Sequence, residues 1–243
     1  TAPMRPDVPL LLAFDSATEV LAVALCGPFG MRHWQGAGGA QASAQLLPQA
    51  QALMRDAAVT WAELDAVAFG AGPGAFTGLR TACAAAQGLA LGAGCAVVPV
   101  DSLAIVAEDA AVARALPDGA ELWVAMDARM GEVYAAAYRR DGAGWATVQR
   151  PALYTPAALN AVWEGAPPRV VAGSALAALG DALSPGHAAR VDQEADRASA
   201  LGRLARWLHA RGDGVYPAQA QPVYLRDKVA LTTAERAAAK AAA

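Results

Sequence analysis

LLLAFDSATEVLAVALCGPFGMRHWQ, residues 10–35, and ELWVAMDARMGEVYAAAYRRDGAGWATVQ, residues 121–149, decide the fold, because the second repeats the plan of the first. Each is an apolar run ending in an aspartate, then a short polar turn, a second apolar run, a Gly-containing turn and a third β-prone segment. The two aspartates, Asp15 and Asp127, stand 112 residues apart. Apolar runs of about 4–8 residues bounded by turn residues read as strands. Two three-stranded meanders, each with a carboxylate at the end of its first strand, predict two similar lobes facing one another across a cleft.

The segments after each meander extend the duplication. Behind the first, the pattern predicts a helix over 43–58, a strand at 66–69, a helix over 77–93, a strand at 95–100 and a helix from Ser102. Behind the second it predicts a helix near 157–163, a strand at 169–173, a helix from Ala175, a short strand near 190–191 and a helix over 198–210. A meander continued by alternating helices and strands makes a mixed sheet covered on both faces. The expected class is α/β and actin-like (ASKHA), a duplicated ribonuclease-H-like fold. Its N-terminal lobe is expected over 1–104 and its C-terminal lobe over 105–217. A last segment, 218–243, is expected to return toward the first lobe and end in a flexible tail.

Composition excludes several classes. With 243 residues, 56% hydrophobic and 17% charged, the chain is a compact globular protein and not a disordered one. Its longest apolar stretch, 88–100, has 13 residues and contains Pro99, against roughly 20 needed to span a bilayer. Arg5 stands alone near the N-terminus and Asp15 breaks the apolar run, which is not a signal-peptide layout. A cytoplasmic protein without membrane contact is expected. Cys26, Cys83 and Cys95 lie in apolar surroundings without a C-x-x-C, as buried free thiols do in a reducing compartment. The net charge of −3 excludes a generic nucleic-acid binder. The only local basic excess is Arg226, Lys228, Arg236 and Lys240 over Asp227 and Glu235. That is a solvated tail or, at most, a helper in RNA contact.

GAGPGAFTGLR, residues 70–80, comes after a strand and opens a helix. Its glycines bring backbone amides close to whatever lies against them, and Thr77 is placed to cap the helix, whose N-terminus suits an anion. It is neither a Walker A loop nor a Rossmann fingerprint. Spacing alone serves a phosphate site and a tight structural turn equally. In the helix behind this loop, Gly78, Ala82, Ala86 and Ala90 recur every four residues, and Leu46, Ala50, Leu53 and Ala57 form a stripe on the helix before it. Such stripes allow close helix approach, to the chain's own sheet or to a partner. Pro48 is expected to start the earlier helix at Leu47 or to bend it there.

FDSATEVLAVAL (14–25), GAGPGAFTGLR (70–80), VDSL (100–103), DARMGEVYAAAY (127–138) and PVYLR (222–226) together resemble the TsaB (YeaZ) family, from about Leu10 to Arg226. The resemblance implies a non-catalytic subunit of the bacterial tRNA threonylcarbamoyladenosine system. It would bind and activate the transferase TsaD and assemble with the ATPase TsaE and tRNA. It also implies that Leu46, Ala50, Leu53, Gly78, Ala82, Ala86 and Ala90 form the partner interface, shared with a second copy when TsaD is absent. A vestigial nucleotide cleft would comprise Asp15, Thr18, Gly72, Gly74 and Asp127. Where many members have a His before the Ser of the first helix, this chain has Ala42 before Ser43, which leaves the cap of that helix intact.

The chemistry can be weighed on the residues. Transferases of the TsaD type, and the peptidases once assumed for this family, carry H-x-x-x-H on the helix after the strand CAVVPV. Here those positions hold Ser102 and Val106, and His33, His187 and His209 are scattered, so no metal is expected. No nucleophile elbow is present either. A sugar-kinase-like phosphotransferase is the stronger alternative: Asp15 and Asp127, with Asp101 as a third, could hold Mg²⁺. Its second-lobe nucleotide turn would have to be Gly173-Ser174 alone. No cofactor beyond weak or vestigial nucleotide binding is expected, and the glycoprotease reading ranks last.

Overall fold

In the computed structural model, which describes residues 8–226, the two meanders become two five-stranded sheets of the same strand order. The first sheet is built from β1 (Leu11–Asp15), β2 (Val20–Gly27), β3 (Gly30–Ala37), β4 (Ala66–Gly72) and β5 (Ala96–Asp101), ordered β3-β2-β1-β4-β5. Its antiparallel meander is extended by β4, parallel to β1, and β5, parallel to β4. The second holds β6 (Glu121–Asp127), β7 (Val133–Asp141), β8 (Gly144–Tyr154), β9 (Val170–Ala172) and β10 (Ala189–Val191), ordered β10-β9-β6-β7-β8. Here β6 and β9 are the parallel pair that matches β1 and β4.

Helices fill the layers around these sheets. They are α1 (Ala42–Asp56), α2 (Phe76–Ala93), α3 (Ser102–Ala113), α4 (Pro156–Gly165), α5 (Ala175–Leu179) and α6 (Arg197–Ala210). Successive side chains of a strand point to opposite faces, so β1 serves two cores at once. Leu12 and Phe14 pack with Leu46 and Ala50 of α1 and Ala82 and Ala86 of α2, whereas Leu11 and Ala13 face α3 and α6. On the far side of α3 lie Leu122, Val124 and Met126 of β6. The outer face of the second sheet is covered by Leu159 and Trp163 of α4 and by Leu176 of α5. Two sheets and three helical layers result.

The central layer does not follow chain order. Helix α6, which the sequence assigns to the lobe 105–217, packs on β1, β2, β3 and β5 of the first sheet and on α3. Both sheets therefore share one apolar core through α3 and α6. The last described residues run over the first lobe: the Val223 amide donates to the Ala71 carbonyl at 2.6 Å, and Ala220 O accepts from Gln87. Arg226 then reaches Glu132 of the β6–β7 hairpin. The basic residues Lys228, Arg236 and Lys240, and the tail 234–243, lie outside the described residues.

Local starts differ from expectation in three places. Helix α1 begins at Ala42, ahead of Leu47, and contains Pro48, which is exposed. Gln41, not Ser43, stands at its N-cap, and it makes no side-chain cap. Helix α2 begins at Phe76 with Ala75 as N-cap, so Thr77 caps nothing. Among the described residues no helix is long and apolar enough to cross a membrane.

Burial raises the thiols of Cys26 (to about 11), Cys83 and Cys95 above the ordinary thiol range. Cys26 and Cys83 are buried and Cys95 half-buried. Thiol titration of the native protein near pH 8 should therefore show slow reaction, Cys95 first, and all three groups reacting at once in denaturant. Fast native labelling of Cys26 would contradict this packing.

Candidate functional site

The strand ends carrying Asp15 and Asp127 meet across a cavity of about 400 Å³ between the lobes. Its walls include Thr18 of the first hairpin, Gly74 of the glycine loop, Asp127, Ser174, Glu194 and Arg197. Of the five expected cleft residues, Thr18, Gly74 and Asp127 line it, while Asp15 and Gly72 lie buried beneath.

Asp15 is fully buried and committed. Its Oδ1 accepts from the Ala17 amide at 3.0 Å and from Arg197 Nε at 3.2 Å. Its Oδ2 accepts from Ser102 Oγ at 3.0 Å, and that hydroxyl accepts in turn from the Gly72 amide. Arg197 opens α6 and is itself 1% exposed; its second carboxylate partner is Glu194. Burial alone would favour loss of the guanidinium proton, but Asp15 and Glu194 outweigh it and hold the group charged, above its ordinary range. Burial raises Glu194; Arg197 pulls it down, and Asp109 and Asp15 push it up. Asp109 of α3 accepts from the amides of Ala195 and Asp196, which fixes the loop ahead of α6.

The strand-end carboxylate that a metal-dependent phosphotransferase would need free is thus paired with a guanidinium. Asp127 remains at the cavity wall, half-buried, with Oδ1 accepting from the Arg129 amide at 2.8 Å. The third carboxylate considered for metal, Asp101, faces away: it caps α3 through the Leu103 amide and accepts from Tyr138.

The glycine loop is closed by the chain's own hairpin. A Cβ at Gly70 would stand 1.5 Å from Asp15 Oδ2, and one at Gly78 would stand 1.8 Å from the Ser16 carbonyl. Ser16 Oγ donates to Gly78 O, and the Ala75 amide donates to Ala17 O. Close packing against residues 15–17 requires glycine at Gly70 and Gly78, while Gly74 also lines the cavity.

Val106 is buried in the central core. His33 contacts Ser199 and Asp196, but Ser199 Oγ donates to Asp196 at 2.6 Å and Asp196 accepts the Ser199 amide, which is a helix cap and not a nucleophile relay. Among the described residues no cluster of three or more His, Cys, Asp or Glu is arranged to hold a metal.

The expected partner stripe is corrected outright. Leu46, Ala50, Leu53, Gly78, Ala82, Ala86 and Ala90 are all buried against the first sheet or its hairpin. Spacing by four marks a helix face without saying whether sheet or solvent lies beyond it, and here small residues let α2 rest close on β4. The opposite faces point outward: Ala44, Leu47 and Gln51 on α1, and Arg80, Ala84, Gly88, Leu91 and Gly92 on α2. Leu47 is 47% and Leu91 56% exposed, and nothing lies within 4 Å of a Cβ built at Gly88 or Gly92.

Two like-ordered sheets, each with an aspartate at the end of its first strand and a cleft between them, define an actin-like, two-lobed α/β protein. Comparison narrows the class. Residues 39–230 match the family model of TsaD, tRNA N6-adenosine threonylcarbamoyltransferase. The Escherichia coli tRNA threonylcarbamoyladenosine biosynthesis protein TsaB is 32% identical, over 90% of this chain and 96% of its own. YeaZ from Pseudomonas aeruginosa superposes with a TM-score of 0.79 at 32% identity, over 89% of this chain and all of that one. A second Pseudomonas aeruginosa structure, described as similar to peptidase YeaZ, gives 0.81 at 33% identity, over 90% and 100%. The chain belongs to the TsaB (YeaZ) family.

Proposed function

We propose that this protein is a non-catalytic subunit that binds a TsaD transferase and supports threonylcarbamoyl transfer to tRNA adenosine, in assembly with TsaE and tRNA. The likeness to Escherichia coli TsaB along nearly its whole length carries the reading. Two structural facts support it. Ser102 and Val106 stand where the family resemblance implies a transferase's metal-binding histidines, and both are absorbed into packing. The one carboxylate that a phosphotransferase would need at the first strand end is neutralised by Arg197. Docking then falls to the outward face of α1 and α2, where Leu47, Ala84, Gly88 and Leu91 form a low surface that a partner helix can approach closely. The same face would pair two copies when TsaD is absent.

The test is to mix the chain with TsaD of the same organism and measure complex mass, then threonylcarbamoyladenosine formed on tRNA with and without the chain. Failure to form a complex, or turnover indifferent to the chain, sinks the reading. Within that assay Asp127→Ala is the clean probe of the cleft, because Asp15→Ala would confound chemistry with folding. Modification should persist within about tenfold, roughly 1.4 kcal/mol of barrier. A larger loss in a folded, assembled variant would favour phosphotransfer.

A further inference from the structure

At the mouth of the cleft a smaller pocket, about 220 Å³, opens between the glycine loop and the β6–β7 hairpin. It is below the roughly 300 Å³ at which sites for drug-sized ligands begin, so it admits a single ring system or side chain. Phe76, Tyr224, Tyr134 and the Met130 thioether wall it, with Arg129 and Arg226 at its border. Tyr224 lies 5.1 Å from Phe76, centroid to centroid, tilted by 37°. The Arg80 guanidinium stacks 3.8 Å over the Phe76 ring and its Nε donates to Tyr224 Oη at 3.2 Å. Met130 is 75% and Tyr224 43% exposed, so these flat and polarisable groups are held in water in the free chain.

We infer that this pocket receives an unpaired RNA base. Unstacked bases are recognised by stacking on aromatic rings and on arginine planes, and both kinds of face converge here at a concavity of one-ring size. The charges fit a modest role. Arg129 is shared with Glu19 and Asp127, and Arg226 with Glu132, whereas Arg80 has no carboxylate partner among the described residues. Stacking, not phosphate neutralisation, supplies the contact, consistent with the chain's net charge of −3. Protein interfaces also favour Met, Tyr and Arg; preformed planar stacking favours the base. The inference rests on the reading that the chain works in a tRNA-modifying complex.

The experiment uses the full chain assembled with TsaD and a tRNA transcript as probe, comparing wild type, Tyr224→Ala and Tyr224→Phe. Tyr224→Ala should keep the fold and the TsaD complex yet weaken tRNA binding about tenfold, while Tyr224→Phe stays within about twofold. The slope of log affinity against log salt should not change, because no phosphate contact is lost. Ultraviolet crosslinking should place RNA on residues 222–226. Unchanged affinity of Tyr224→Ala without such a crosslink overturns the proposal. So does loss of the TsaD complex itself, which would assign the patch to protein contact. If the wild-type chain does not assemble with TsaD, the proposed function fails, and the same crosslink on the isolated chain decides the pocket.

Discussion

Arg197→Ala should cost about 3–5 kcal/mol of stability, the range for removing one partner of a buried ion pair. The loss arises because Asp15, fully buried, keeps its Ser102 and Ala17 donors but loses the cation beside it. Glu194 loses its partner at the same time. Against a total of roughly 5–15 kcal/mol, such a change lowers the melting temperature by roughly 10 °C in a chain of this size. The pair joins the first strand of one sheet to the helix lying between the sheets, so the loss should appear in cooperative unfolding and not as a local opening. Thermal melting and urea titration measure it. Asp15→Asn combined with Arg197→Met should recover part of the deficit, since a buried pair removed whole is far less costly than a pair half removed. An Arg197→Ala variant melting within a degree or two of wild type would mean that the charge escapes to water, and that Asp15 is available to the cleft after all.

No local pattern announces that ion pair. Asp15 and Arg197 are 182 residues apart, and a lone Arg at a helix start reads as a surface residue. A weaker signal lies in α3, whose apolar run SLAIVAEDAAVA carries Glu108 and Asp109 in mid-helix. Acids on a face that must be buried need donors. Glu108 finds Arg203 and Trp145, and Asp109 finds the amides ahead of α6. Asking where those donors come from would have pointed to the start of α6.

The sheets were legible for the opposite reason. Strands buried on both faces must be continuously apolar, and LLAFD is buried at every position. The turns between them carry glycine or short polar residues that stop the pairing. Repetition of one plan then fixed two lobes, and the carboxylate at each first-strand end located the cleft. What the pattern could not carry was orientation and use. The glycine loop reads alike for phosphate or for packing until the hairpin at 15–17 is seen to fill it. The stripe on α2 reads alike for partner or sheet until β4 is seen beneath it.

Two substitutions two residues apart on α2 should separate those faces with opposite outcomes. Ala86 is fully buried against the first sheet, so Ala86→Arg must place a long charged side chain in a filled core, and the protein should unfold or aggregate. Gly88 is exposed with nothing within 4 Å of an added Cβ. Gly88→Arg therefore leaves its charge in water and replaces the poorest ordinary helix former, a gain of about 1 kcal/mol or less. The isolated variant should melt at or slightly above wild type. If the outward face of α2 docks TsaD as proposed, the complex must either bury an unpaired guanidinium or hold the helices apart, at a cost of several kcal/mol. Binding should then weaken by more than about a hundredfold, since each 1.4 kcal/mol is a factor of ten. Ultracentrifugation of each variant with and without TsaD, beside thermal melts, reads both effects. A stable Gly88→Arg chain that binds TsaD at full strength removes the outward face of α2 from the interface. A folded Ala86→Arg chain that fails to bind would return the interface to the inner stripe, and would require the helix to turn over when the partner docks.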